Sequence, residues 1–285
     1  MFLPVGAQVR VEDLIRGVII QSGNDAAVTL AEGLAGSEES FALRMNQKAA
    51  ELGMTNSHFM NASGWPDPNH YSTAHDLALL AHALIKDFPN YYKYYSETEF
   101  TYNKIKQGNR NPLLYKSIGA DGVKTGHTEI AGYGLIGSGV RAGRRAIFVF
   151  NGTKSMQARA DEGVKVLSWA LGNFINLSPY AHNRPVLEAH VVLGESPSVP
   201  VVVGHTFTVT VPRFGGPQAK VTAEYKEPLV APIKKGDPVG TLSVRLNEGE
   251  APITLPLVAG ADVPPMGLFT RTFAKAFYTV TGRGL

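Results

Sequence analysis

Three apolar, β-prone runs follow one another between Asp121 and Phe150, and they constrain the fold more than any other stretch of this chain. The first is Asp121-Gly122-Val123-Lys124-Thr125-Gly126-His127-Thr128. Gly132 to Val140 and Arg145 to Phe150 come next, joined by Arg141-Ala142-Gly143-Arg144. Runs of this length separated by glycine-bearing turns predict an antiparallel meander. Its first strand carries chemistry as well as structure. Gly126 removes a side chain where a ligand backbone can lie close, and Thr125 and Thr128 set hydroxyl donors beside the positive charge of Lys124. Such an edge suits an anion, whereas a lysine that merely blunts a sheet edge is the plain structural alternative.

The segments before the meander have helical period. Val11, Leu14, Ile15, Val18 and Ile19 predict an amphipathic helix up to Gln21 that stops at Ser22-Gly23-Asn24. Asp25 is placed to cap a following helix through Leu34, and Ser37, with Glu38 and Glu39, starts another that reaches Leu52 before Gly53. Trp65-Pro66-Asp67-Pro68-Asn69 is a surface turn. Thr73 and Asp76 have capping-box spacing, and Leu77, Leu80, Ala81, Leu84 and Ile85 form the buried face of a helix ended by Pro89. Tyr91, Tyr92, Tyr94 and Tyr95 read as a helix end packed on the domain. Glu99 to Asn103 alternates as a strand, Asn111-Pro112 turns the chain, and Ala158 to Leu171 reads as a helix carrying Trp169.

A first domain is therefore expected over residues 1–177, after which the texture changes. From Pro185 to Leu257 the chain consists of short β-prone runs, including Val199 to Val211 and Val239 to Leu246, separated by Gly and Pro turns. This predicts a small β-sandwich or barrel-like domain over 178–263. Beyond the Pro264-Pro265 hinge, Leu268, Phe269, Phe273, Phe277 and Val280 share one helical face, with Arg271 and Lys275 elsewhere. Residues 264–285 thus read as an amphipathic helix, with 267–285 expected to lie on a membrane surface.

Composition excludes several function classes. Hydrophobic residues make up 44% of the 285 and charged ones 18%, as in a folded domain, and no apolar run is long enough to cross a bilayer. Lys plus Arg outnumber Asp plus Glu by only 27 to 24, which gives no footprint for nucleic acid. With no cysteine there is neither a disulfide nor a thiolate nucleophile. The eight histidines are scattered, and there is no H-E-x-x-H, G-x-S-x-G or phosphate-binding loop, so neither metal nor cofactor is expected. His127 reads as a hydrogen-bonding residue beside the Lys-Thr-Gly.

Ser22-Gly23-Asn24 lies in a helix-to-helix turn, where a hydroxyl and a carboxamide can point into a cleft. In an active-site serine acyltransferase, Ser22 would relay a proton to the departing amine, Asn24 would hold the substrate amide, and Lys124 with Thr125 would bind a carboxylate. Their order and separation match the S-D-N and K-T-G elements that accompany an S-x-x-K nucleophile.

On Leu14-Ile15-Arg16-Gly17, Gln21-Ser22-Gly23-Asn24-Asp25-Ala26, Asn109-Arg110-Asn111, Asp121 to Thr128 and Ala131-Gly132-Tyr133, the chain resembles the D-alanyl-D-alanine carboxypeptidases. These are the low-molecular-mass penicillin-binding proteins. The resemblance implies a penicillin-recognising α/β (α+β) fold, an antiparallel sheet flanked by helices. It implies removal of the terminal D-alanine from peptidoglycan pentapeptides through an acyl-enzyme, binding of β-lactams, and a place on the outer, periplasmic face of the inner membrane. It also implies that Arg110 and Arg159 join Lys124, Thr125, Gly126 and His127 in binding substrate. One departure matters: no serine here is followed three places later by lysine, and Thr101 with Lys104 has the spacing but lies in a predicted strand. Ser22 is therefore not assigned as nucleophile. The resemblance implies a nucleophile helix upstream of Met1, so the sequence reads as a fragment or a misplaced start that is inactive as given. A non-catalytic peptidoglycan-binding protein and a β-lactamase of the same fold are the alternatives.

Overall fold

In the computed structural model, which describes residues 1–180, 184–214, 220–246, 249 and 251–267, the helices that follow Ser37 and Thr73 begin where a side chain satisfies the backbone, and the first two do not. Helix α1 (Val11–Ile20) buries Leu14, Ile19 and Ile20 and stops just before Ser22, whose φ is +51°. A Cβ at Gly17 would sit 3.3 Å from that of Ala26, so the glycine lets α1 and α2 (Asn24–Ala35) approach closely. The expected Asp25 cap does not form: the N-cap is Gly23, and no side chain caps it. The Asp25 carboxylate instead accepts from the Met1 amine and the Leu3 amide, each at 3.0 Å, which ties the leading segment to the first turn of α2. Ser37 caps α3 (Glu38–Glu51) by accepting from the Ser40 amide, and Thr73 caps α4 (Ala74–Asp87) by accepting from the Asp76 amide. Pro89 ends α4 and opens the short α5 (Pro89–Tyr92), after which a 3-10 turn buries Tyr94.

Strand β1 (Glu99–Tyr102) pairs with β2 (Ile105–Gly108) in a small hairpin whose second arm, mostly polar, has no alternating signal in the sequence. The expected meander follows as β3 (Ala120–Thr128), β4 (Gly132–Arg141) and β5 (Arg144–Thr153), antiparallel throughout. Ala142 and Gly143, with φ of +49° and +74°, form the tight two-residue turn between β4 and β5. Alternation assigns the faces. Leu135, Ala146 and Phe148 pack toward α6 (Met156–Gly172) with Leu167 and Leu171, while Val123, Ile136 and Ile147 pack toward α4 with Ala81 and Tyr92. The meander is thus an antiparallel sheet with a helix on each face, the α+β arrangement expected from sequence.

The chain divides into two compact units between Gly172 and Asn173. The sequence reading places its boundary at Leu177, inside β6 (Phe174–Tyr180). In the second unit come β7 (Pro185–Val192), β8 (Ser198–Val203), β9 (Phe207–Pro212), β10 (Lys220–Tyr225), β11 (Leu229–Val230), β12 (Pro238–Arg245) and β13 (Ile253–Ala259). The run Val199 to Val211, which reads as one β-prone stretch, breaks at Gly204: β8 joins a sheet ordered β10-β12-β13-β8-β7-β11, while β9 pairs with β6. Val199, Val201, Val203, Leu242 and Leu257 are almost fully buried in the core, with Phe207 of β9 against them. Of the predicted terminal helix over 264–285, only Pro264 to Gly267 are described, with Pro265 in a β-bridge to Gly194, and the rest lies outside the described residues. Among the described residues no helix is long and apolar enough to cross a membrane.

Candidate functional site

Backbone geometry brings the predicted residues together from four elements, one of them α6, which carries Arg159. The first contribution is the stop between α1 and α2, where Ser22 takes a left-handed conformation that few non-glycine residues adopt. The second is a turn held from below by two buried asparagines. Asn109 accepts from the Asn111 amide at 2.9 Å and donates to the Glu97 carbonyl at 2.9 Å, and Asn111 accepts from the Leu113 amide at 3.1 Å. Arg110 stands between them, exposed. The third is β3, whose pleat alternates Lys124 and Gly126 with the buried Val123 and Thr125.

All eight residues singled out from sequence, Ser22, Asn24, Arg110, Lys124, Thr125, Gly126, His127 and Arg159, line one cleft of about 780 Å³. The Lys124 ammonium donates to the Ser22 hydroxyl and, at 2.9 Å, to the Thr125 carbonyl. Arg159 is buried, reaches the Gly126 carbonyl at 3.5 Å, and leaves its Nε without an acceptor among the described residues. A Cβ on Gly126 would meet nothing within 4 Å, so the cleft is open over that residue.

The electrostatics have a single sign. No aspartate or glutamate is among the lining residues, while Lys124, Arg110 and Arg159 all are. Burial, and after it the charges of Arg110 and Arg159, lower the Lys124 pKa to about 8. Burial also lowers that of Arg159. The Lys124 charge is therefore titratable. An arriving anion would relieve the crowding of like charges and return Lys124 toward its ordinary value.

Several further residues line the cleft, none of them assigned to it from the sequence. Tyr133 is packed between two cleft residues, its ring 3.9 Å from that of His127 and 5.6 Å from the Arg159 guanidinium carbon. Ala62, Ser63 and Gly64 reach the cleft from a loop, and Asn151 and Met156 reach it from the end of β5 and the start of α6. The loop is held by Asn61, which accepts from the Gly64 and Trp65 amides at 2.8 and 3.0 Å, and by Glu38, which accepts from the Ala62 amide at 2.9 Å. Among the described residues no cluster of three or more His, Asp or Glu side chains is placed to hold a metal ion.

A cation-lined cleft beside a helix-flanked antiparallel sheet, followed by a separate β-domain, defines a class, and the comparisons with known proteins agree on which one. Residues 1–155 match the D-alanyl-D-alanine carboxypeptidase family, and residues 174–265 match the C-terminal domain of penicillin-binding protein 5. D-alanyl-D-alanine carboxypeptidase DacC of Escherichia coli is 42% identical over 275 residues, 96% of this chain and 68% of that protein. The solved structure of penicillin-binding protein 5 from Haemophilus influenzae superposes with a TM-score of 0.76 at 38% identity, over 93% of this chain and 77% of that one. Penicillin-binding protein D2 from Listeria monocytogenes, solved in a cefotaxime-bound form, is 34% identical and matches 56% of this chain and 67% of that one, with a TM-score of 0.52. The chain belongs to the D-alanyl-D-alanine carboxypeptidase family of serine peptidases.

Proposed function

We propose that this cleft binds the D-alanyl-D-alanine end of a peptidoglycan pentapeptide, with the terminal carboxylate held by Lys124, Arg110 and Arg159. The observation that carries the reading is the convergence of these three cations in a cleft whose lining includes no acidic side chain. A charge so enclosed gains more from a charge-assisted contact than an exposed one, because water competes less for it. Thr125 and His127 then flank the peptide, and open Gly126 admits its backbone. Asn24 holds the scissile amide. Ser22, which accepts the Lys124 proton donor, is placed to pass a proton to a departing nitrogen. The same cationic wall accounts for β-lactam binding, since those drugs present a carboxylate beside a strained amide.

Within this reading the 285-residue polypeptide binds and does not turn over, because no serine in it has the S-x-x-K spacing that supplies an activated nucleophile. The cleft is the carboxylate-binding part of a serine D-Ala-D-Ala carboxypeptidase acting on the extracytoplasmic face, and a binder without turnover is the alternative. Titration of a D-Ala-D-Ala-terminated peptide against its C-terminal amide, by calorimetry or NMR, tests the carboxylate contact. Amidation, or Lys124→Ala with the free acid, should weaken binding about tenfold or more. Equal affinity for acid and amide overturns the assignment.

A further inference from the structure

The first unit carries a second concavity whose character is the reverse of the cleft. Helix α3 has the apolar stripe Phe41, Met45, Ala49 and Leu52, at spacings that normally face a core. Here the stripe lines one wall of a groove, with Phe59 and Leu80 opposite, and the groove encloses about 300 Å³ of almost wholly apolar space. That volume lies at the small end of ligand pockets. The stripe runs eleven residues along the helix, a length of about 16 Å at the usual helical rise. The groove is therefore long and narrow, too small in volume for the side chains of a docked helix and suited to one unbranched chain.

Charge marks one rim of the groove. Arg44 and Lys48, one turn apart on α3, are its only charged lining residues, and both are cations. Arg44 spends one N–H on the Leu34 carbonyl at 2.8 Å. Lys48 pairs with Glu51, but both partners are well exposed, and such pairs exchange readily for another anion. We propose that this groove binds a linear amphiphile with an anionic head: a medium-length fatty carboxylate whose chain lies along Phe41, Met45, Ala49 and Leu52 and whose head rests on Arg44 and Lys48. Nothing in the cleft chemistry requires this site, and it stands whether or not D-Ala-D-Ala binds.

The test uses the 285-residue protein and three probes of one chain length: dodecanoate, dodecanol and dodecyltrimethylammonium. Calorimetry below the micellar range should show saturable one-to-one binding of dodecanoate, with the alcohol about tenfold weaker and the cation weaker still. Lys48→Glu, an exposed change that leaves the fold alone, should abolish the preference for dodecanoate over dodecanol. Met45→Glu should remove binding of all three, with circular dichroism showing an intact fold. D-Ala-D-Ala peptide binding should be unchanged in both variants. Indifference to head charge, or dodecanoate binding that survives Met45→Glu, overturns the proposal. So does the absence of saturable binding, and if the protein then self-associates in sedimentation in a way that Met45→Glu abolishes, the groove is a contact between copies of this chain.

Discussion

Lys124 titrates within reach of ordinary conditions, and the sign of its effect is opposite for folding and for ligand binding. Its folded pKa of about 8 lies below the unfolded value, because burial and the two arginines disfavour the ammonium. The charged form therefore costs stability below about pH 8, a cost that fades as the amine loses its proton. Ligand affinity runs the other way. Binding of a D-Ala-D-Ala carboxylate should be flat below about pH 8 and fall above it, while Lys124→Arg should keep its affinity level to about pH 10. Calorimetry across that range decides it, and a pH-independent affinity for the unsubstituted protein rules out a titrating Lys124. The glycines give a second contrast. Gly126→Ala should fold with an unchanged melting temperature yet lose peptide binding, since its Cβ meets no protein atom but fills the space above β3. Gly139→Ala should do the reverse, because its Cβ would lie 2.7 Å from the Gly119 carbonyl oxygen and force β4 to shift. A normal melt for Gly139→Ala, or full binding by Gly126→Ala, contradicts this division. Ser22, Asn24, Lys124, Thr125 and Gly126 stood out in the sequence because Ser-Gly-Asn and Lys-Thr-Gly carry their own spacing, whereas Arg110 and Arg159 entered only through the family resemblance. Tyr133 entered with the resemblance but without a place in the cleft, and Asn151 not at all, since their presence there depends on strand register.

At the scale of elements, the helices were readable where the cap and the period agree, as at Ser37 and Thr73, and misread where a carboxylate has a competing partner, as at Asp25. The β1–β2 hairpin and the break at Gly204 were hidden for a different reason. Pairing of short strands is decided by contacts distant in sequence, which local propensity does not record. The loop from Thr55 to Ser72, which brings Ser63 and Gly64 to the cleft, shows how an element can serve the site without touching ligand. Its first end is latched to α4 by Asp76, a buried carboxylate that accepts from the Asn56 amide and the Ser57 hydroxyl, both at 2.8 Å, and the Ser57 hydroxyl meets that of Ser72 at the other end at 2.7 Å. Burial alone would raise the Asp76 pKa, but the hydrogen bonds from Ser57, Asn56, His75 and Thr73 outweigh it and the net shift is downward. A depressed carboxylate contributes stability that is present above its unfolded pKa and is lost as pH falls through the folded value. Asp76→Asn should therefore lower the melting temperature at neutral pH and make the acid limb of the stability profile shallower. It should also increase amide exchange between Thr55 and Ser72. Parallel acid limbs for the two proteins would show that Asp76 is not the latch.

At the scale of the whole molecule, the question is which hydroxyl among the described residues could attack a carbonyl held in the cleft. Serine acyl transfer needs a hydroxyl whose proton a neighbouring base can accept. The hydroxyl in contact with Lys124 is Ser22, and with a lysine pKa of about 8 that contact at neutral pH is an ammonium donating to an oxygen, which restrains the oxygen rather than activating it. Elsewhere in the sequence no serine has lysine three residues on, and Thr101 with Lys104, which does have that spacing, lies on β1 and the turn after it, so no helix aligns the pair. The 285-residue polypeptide, shown to be folded by circular dichroism and a cooperative melt, should bind D-Ala-D-Ala peptide reversibly at pH 7. It should release no D-alanine and take no covalent label from a fluorescent penicillin. Stoichiometric labelling at pH 7 would show that these 285 residues do hold an activated nucleophile. Mass spectrometry would then say where the error lies: an adduct on Ser22 would make that residue the nucleophile and Lys124 its base, and labelling should then rise through about pH 8 as the lysine loses its proton.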